Sequence, residues 1–275
     1  MPGERAVWGA LNGMSSYGVA GARYVTGMRA LLIVTIFAAT PAWAETELHY
    51  AGYAAGSRVV AVTAVFDLAG PSYQVRTSFR TAGAAAALFP GGTDAVVTGR
   101  IVAGRPRPDR AFSSGVFKGQ PRVTQIDYTN DTPHVRQMQP PNDDGREPVP
   151  ELLQAHTVDG LTAMADLLRH VTTTGTCEGQ ATTYDGRRLS EIEARTGGTD
   201  FLPPSSRSSF SGNALHCIVT ARFVAGFMPD TDEQFRKPQL ANAWFAPVTP
   251  GGPPVPVRIS IPTKFFGEAS LFITE

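Results

Sequence analysis

The chain has 275 residues, 24 basic and 24 acidic side chains, and a formal net charge of zero. Such a balance carries no electrostatic search for nucleic acid or for an acidic membrane surface. Arginine supplies nearly all of the basic side chains, and with so much Ala, Gly and Pro this reflects a GC-rich gene rather than an arginine-built site.

Residues 1–27 are rich in Gly and Ala and show no periodicity. Met28-Arg29 then opens an apolar run, Ala30 to Ala39, followed by Thr40-Pro41-Ala42-Trp43-Ala44. A positive start, a short apolar stretch and small residues at the two peptidase positions make a secretory signal at 28–44, cleaved after Ala44. As a helix the apolar run spans about 15 Å, half a hydrocarbon core, so it does not read as a membrane anchor. Met28 is the expected start, and 1–27 an upstream extension. The mature chain, 45–275, has a formal charge of −2; it is expected to be one β-rich exported domain located in the periplasm, without a transmembrane anchor.

Period-two alternation opens that domain. Val60, Val62, Ala64, Phe66 and Leu68 share one face; after Gly70-Pro71, Tyr73, Val75, Thr77 and Phe79 alternate with Gln74, Arg76, Ser78 and Arg80. Two such runs around a Gly-Pro turn predict a hairpin with one face inward. Further strands are predicted at Ala95–Ala103, Arg122–Thr129 and His134–Met138. Residues 140–150 (PPNDDGREPVP) hold four prolines and no periodicity, and read as a Pro-rich loop. One long helix follows. Asp159 caps it; Leu161, Met164, Ala165, Leu168 and Val171 form its apolar stripe, and Gly175 stops it. Strands at Ala181–Tyr184 and Arg188–Ala194 flank Asp185-Gly186, a tight-turn dipeptide, and Gly197-Gly198 reads as the end of that pair. Asn213–Val224 puts Cys217, Val219, Ala221 and Phe223 on one face. Asp230–Leu240 reads as a short helix, and Val255–Ile261 and Ala269–Thr274 as closing strands. The fold class is mainly β: an antiparallel, strongly curved sheet or barrel-like fold with one docked helix.

Cys177 and Cys217 are the only cysteines. In an oxidising compartment they default to one disulfide, closing a loop of about 40 residues worth roughly 4 kcal/mol; the alternative is two buried thiols. Their wide separation excludes a CxxC redox pair and a local zinc site. Nucleophile-elbow, HExxH, P-loop and dinucleotide-binding motifs are missing from the sequence, and no catalytic, metal or cofactor residue is assigned. His49, His134, His156, His170 and His216 never pair at metal-ligand spacing; His134, His156 and Asp159 could still assemble a distributed site, against the plainer reading of solvated histidines. Asp143, Asp144 and Glu147 read as a solvated acidic loop. Asn130-Asp131-Thr132 matches a glycosylation sequon. Tyr184-Asp185-Gly186-Arg187-Arg188 is either a plain charged turn or a pair of guanidinium groups offered to an acidic partner. Phe66, Phe79, Phe112, Phe117, Phe223 and Phe227 read as core, or as the lining of an apolar pocket if the sheet is strongly curved.

An ordered set of motifs runs through the second half: Thr157-Val158-Asp159-Gly160-Leu161-Thr162-Ala163-Met164, Cys177-Glu178-Gly179, Tyr184-Asp185-Gly186-Arg187-Arg188, Cys217 with Ala225-Gly226-Phe227, and Pro256-Val257-Arg258-Ile259. This set resembles the domain of unknown function 3108 family of bacterial exported proteins, over roughly Leu48 to Thr274. The resemblance implies a β-rich exported fold and a Cys177–Cys217 bridge tying the helix exit to a later strand. It implies no activity. The functional expectation is a non-catalytic periplasmic envelope protein binding an apolar or lipid-like ligand on the curved sheet. The alternatives are a scaffold using sheet edges and the 140–150 loop, and a hydrolase with a distributed site based on His134 or His156.

Overall fold

The computed structural model describes residues 45–275 apart from 118, 143–144 and 264–266. The expected signal, its cleavage after Ala44 and the 1–27 extension lie outside the described residues.

Seven strands come first: β1 (Thr46–Ala54), β2 (Ser57–Asp67), β3 (Ser72–Thr81), β4 (Gly92–Val102), β5 (Arg105–Phe117), β6 (Gln120–Thr129) and β7 (Thr132–Gln139). A six-residue helix, α1 (Gly83–Leu88), joins β3 to β4. The chain then passes through α2 (Glu151–Gln154) and α3 (Gly160–Thr174). Six strands follow: β8 (Gly179–Tyr184), β9 (Leu189–Leu202), β10 (Gly212–Ala225), β11 (Gln239–Pro247), β12 (Pro254–Thr263) and β13 (Gly267–Ile273). A single 3-10 turn at Glu233–Arg236 stands where a short helix was expected.

All thirteen strands form one antiparallel sheet, ordered β7-β6-β5-β4-β3-β2-β1-β13-β12-β11-β10-β9-β8. The chain meanders from β1 out to one edge, crosses by α3 to the opposite edge, and meanders back until β13 pairs with β1. The sheet is barrel-like and nearly closed. Where its two edges approach, the β8–β9 turn at Gly186 packs on the side chains of Met138, Thr124 and Val135. A short strap closes more of the seam: Val158 bonds β8 through Thr182 and Tyr184, and the His156 amide donates to the Asp131 carbonyl in the β6–β7 turn.

The first hairpin and its alternation are as the sequence predicts, with Tyr73, Val75 and Val97 buried beside Phe66 and Leu68. β5 is a strand the periodicity does not reveal. Pro106 and Pro108 interrupt its start, and the register shifts by one residue between Thr98 and Gly99 of its partner, a bulge that accommodates a residue without an N–H. Two turns differ from expectation. The β8–β9 connection is a four-residue turn, because the Asp185 carboxylate accepts from the Arg187 and Arg188 amides at 2.8 and 2.7 Å and holds it open. Gly197-Gly198 does not end the β9–β10 pair. The ladder steps from Cys217↔Thr196 to His216↔Gly198 and continues to Leu202, so Gly197 is a bulge residue; a Cβ there would press on the His216 ring at 2.9 Å.

α3 follows its signals closely. The Asp159 carboxylate accepts from the Leu161 and Thr162 amides, and Gly175 ends the helix in the left-handed region at φ 70°. Its buried face is Thr162, Ala165, Leu168 and Val171, while Leu161, Met164 and Leu167 are only partly covered. The helix touches β3, β4 and β5 on one side and β8 and β12 on the other. It therefore occupies the hollow of the sheet, and the core forms around it. Of the Pro-rich loop, the Glu147 amide donates to the Phe227 carbonyl and Val149 packs with Tyr184, Leu189 and Ala225.

Candidate functional site: an apolar cleft beside α3

On one side α3 meets large side chains. On the other it meets small ones. Strand alternation turns Gly179, Ala194, Val219 and Ala241 to the helix side by side across β8–β11. Ala181 and Ala243 add to this wall, while Ala163, Met164 and Leu167 of α3 line the helix side of the space. The space left is a cleft of about 200 Å³, ended by Phe245 and Ile259. An apolar cavity of about 150 Å³ is enough to hold benzene, so the cleft has room for one ring or a short acyl segment.

The cleft shares Asp166, Leu167, Gly179, Gln180 and Ala194 with a wider open groove of about 690 Å³. That groove is charged, with Arg105, Arg169, Arg195 and His170 set against Asp166, Glu178 and Glu193. Arg105 pairs with Asp166 at 2.5 Å, and Arg169 donates to the Leu68 carbonyl at 2.9 Å, so two of the cations are held in place by the fold. The Thr176 hydroxyl, and then the Thr196 amide and hydroxyl, hold the Glu178 carboxyl down to about 2. An apolar slot opening on fixed charges suits a molecule with one greasy end and one polar end.

Beneath the packed side runs a buried polar thread. Tyr73 donates to the Thr162 hydroxyl at 2.7 Å, and Thr162 donates in turn to Asp159. Burial pushes the Asp159 carboxyl above the usual carboxylate range, against the hydrogen bonds from Thr162 and Leu161. Both carboxylate oxygens are engaged in holding the start of α3, as expected of its cap.

Cys177 and Cys217 lie at disulfide distance, with Cα atoms 5.7 Å apart, joining the exit of α3 to β10. Both are fully buried. The histidines are scattered. His134 stands opposite Asp127 on the edge strand, but that carboxylate is taken by Arg110 and Arg136. His156 lies in the strap at φ 62°. Among the described residues no three metal-ligating side chains gather, so His134, His156 and Asp159 are not brought together as a site. Residues 143–144 lie outside the described residues. Asn130 and Asp131, at φ 50° and 59°, form the two-residue β6–β7 turn. Arg187 reaches the Pro140 carbonyl and Asn142, and Arg188 lies over Phe223, so these guanidinium groups turn onto their own chain. Of the six phenylalanines read as core or pocket lining, Phe66 is core, Phe79 and Phe117 are exposed, and none borders the cleft; Phe245, outside that set, does.

One arrangement that the sequence does not reveal lies on the outer face. His216 is 3.3 Å from Asp200 and 2.9 Å from Asn242, and stacks on Trp244, whose indole N–H donates to Asp200. Four strand positions meet there only through register. The cleft wall, by contrast, has a readable signal: alanines at the inward positions of successive predicted strands.

The model of the family described as protein of unknown function (DUF3108) matches residues 45–274. The chain belongs to this family. Among solved structures, this DUF3108 chain is similar to a beta-barrel-like protein of domain of unknown function DUF1849 from Brucella abortus, at 11% identity and a TM-score of 0.48, over 85% of this chain and 99% of that one. No curated protein matches it. The family resemblance carried by the Thr157–Met164 and cysteine motifs is borne out across the same span as the DUF3108 match.

Proposed function

We propose that this DUF3108 protein is an exported, non-catalytic envelope protein that holds the apolar end of a small amphipathic molecule in the α3 cleft. The observation that carries the reading is the wall of Gly179, Ala181, Ala194, Ala241 and Ala243, which leaves apolar space beside α3 and opens on fixed charges. The signal read at 28–44 and the Cys177–Cys217 pair support export to the periplasm. The size of the cleft sharpens the ligand. Since α3 fills the hollow of the sheet, a whole lipid is not enclosed, and a single ring or short acyl chain is the fitting group.

Native mass spectrometry of the gently purified protein tests this, followed by titration with short-chain fatty acids and alkyl detergents. The expected result is a stoichiometric small-molecule adduct that Ala194→Leu abolishes. Absence of any adduct, together with no saturable binding of these amphiphiles, would sink the reading.

A second reading, a scaffold, draws on β7, which is the outer strand of its edge. Strand addition there would appear as a protein partner crosslinked through positions 134–138 in cells, and such a partner without any cleft ligand would favour it.

A further inference from the structure

Independent of the cleft, a second surface is built at the opposite half of the sheet. The β3–β4 connection, Thr81 to Thr93, contains no charged side chain. Its helix α1 lies over β2 and β3 yet buries none of its residues. Leu88 and Phe89 at its end are 72% and 62% exposed. The neighbouring β5–β6 hairpin end brings up Val116 and Phe117, with Phe117 54% exposed. The two connections touch: Gly91 sits against the Val116 carbonyl, and Gly92 pairs with Val116 in the ladder. Pinning is firm, because Thr81 is hydrogen-bonded to Gly91 through both its amide and its hydroxyl.

Exposed single apolar residues are ordinary, but four on adjoining hairpin ends, beside an uncharged stretch, form a patch that water disfavours. Its rim is basic. The Arg122 guanidinium lies 5.1 Å over the Phe117 ring, and Arg58 is exposed beneath α1. The nearby carboxylate, Asp94, is already taken by Arg80. Leucine and phenylalanine at loop ends with arginines behind them make the composition of a surface that enters a bilayer interface, the rings among the headgroups and the guanidiniums on phosphates. The formal charge of −2 on residues 45–275 does not prevent this, since the contact is local and mainly hydrophobic.

We propose that the Leu88-Phe89 and Val116-Phe117 hairpin ends dock the protein on a phospholipid surface. The test uses residues 45–275, which hold every strand among the described residues, α3 and the disulfide, and fall within one compact unit. Flotation with vesicles of phosphatidylethanolamine and phosphatidylglycerol should carry the protein upward, more weakly with phosphatidylcholine alone. Leu88→Ser with Phe89→Ser should lower the vesicle partition coefficient about tenfold or more, and Arg58→Glu with Arg122→Glu should remove the preference for anionic vesicles. None of these side chains is in the core, so circular dichroism should stay unchanged, and Val59→Ser on β2 serves as a control for general destabilisation. A wild-type protein that does not float overturns the proposal, as does a Leu88→Ser/Phe89→Ser variant that floats equally well. Sedimentation showing that the patch instead drives pairing of two copies, lost in the same double variant, would also overturn it.

Discussion

The two sides of α3 are covered by the same sheet and behave differently. Toward β3–β5 the helix faces a core that includes Phe66, Leu68, Tyr73, Val75 and Val97, all buried, and the Tyr73 hydroxyl locks onto Thr162. Toward β8–β11 it meets mainly glycine and alanine, with Val219, Ile192 and Phe245 as the larger apolar side chains, and a cleft remains. Backbone architecture is common to both sides; side-chain volume alone separates a solid core from a binding space. The difference teaches that a barrel-like sheet with a helix in its hollow can still keep a site, provided one wall is built from residues too short to reach it.

That contrast can be broken in several ways. The open side has little packing of its own, so the Cys177–Cys217 tie should matter most. Cys177→Ser with Cys217→Ser should cost about 4 kcal/mol in the urea unfolding free energy; a cost under about 1 kcal/mol would mean that the open side is self-sufficient. Leu168→Ala, at the centre of the packed side, should cost about 3 kcal/mol. Tyr73→Phe removes one buried hydrogen bond and should cost about 1 kcal/mol, with little change in helix content. On the open side the same chemistry should be mild. Ala194→Leu grows into empty space and should change stability by less than about 1 kcal/mol while blocking ligand; a penalty of several kcal/mol would show that the cleft is not there in solution. The smallest effect concerns the mouth. Glu178 titrates lower in the folded protein than its ordinary 4.5, down to about 2, so its stabilising contribution is present above about pH 4.5 and fades as pH falls toward 2. Melting curves of wild type and Glu178→Gln should differ at pH 6 and converge near pH 2.

Much of the fold could be read from local pattern. Asp159 and Gly175 mark α3 because capping is a property of neighbouring atoms, and the β2–β3 alternation holds because one face is buried. β5 escaped because Pro106, Pro108 and its arginines hide the period, which the bulge opposite Gly99 makes tolerable. Gly197-Gly198 looked like a stop because a glycine pair has the same appearance at a turn and at a bulge; only the partner strand, with His216 leaning on Gly197, distinguishes them. The buried face of α3 is slightly rotated from the apolar stripe that its sequence predicts. Thr162 is buried although polar, since Tyr73 and Asp159 satisfy its hydroxyl, and Leu161 and Met164 are less covered than their hydrophobicity suggests because the facing wall is short. The site was legible only in part for the same reason. Alanine at an inward strand position says that a side chain is small, and whether the helix closes the gap depends on distances that no single strand records.

The pairing of β1 with β13 carries a kinetic meaning. The His49 amide donates to the Glu275 carbonyl and the His49 carbonyl accepts from the Thr274 amide, across nearly the whole length of the domain. Strands β1 to β7 can zip one to the next as neighbours in the chain, but the free side of β1 stays uncovered until residues beyond Gly267 arrive. Joining such distant segments is slow, and an open strand is adhesive while it waits. Folding of this domain is therefore expected to finish in one late, concerted step, with α3 seated and the two meanders meeting at β1, rather than by gradual growth from either end.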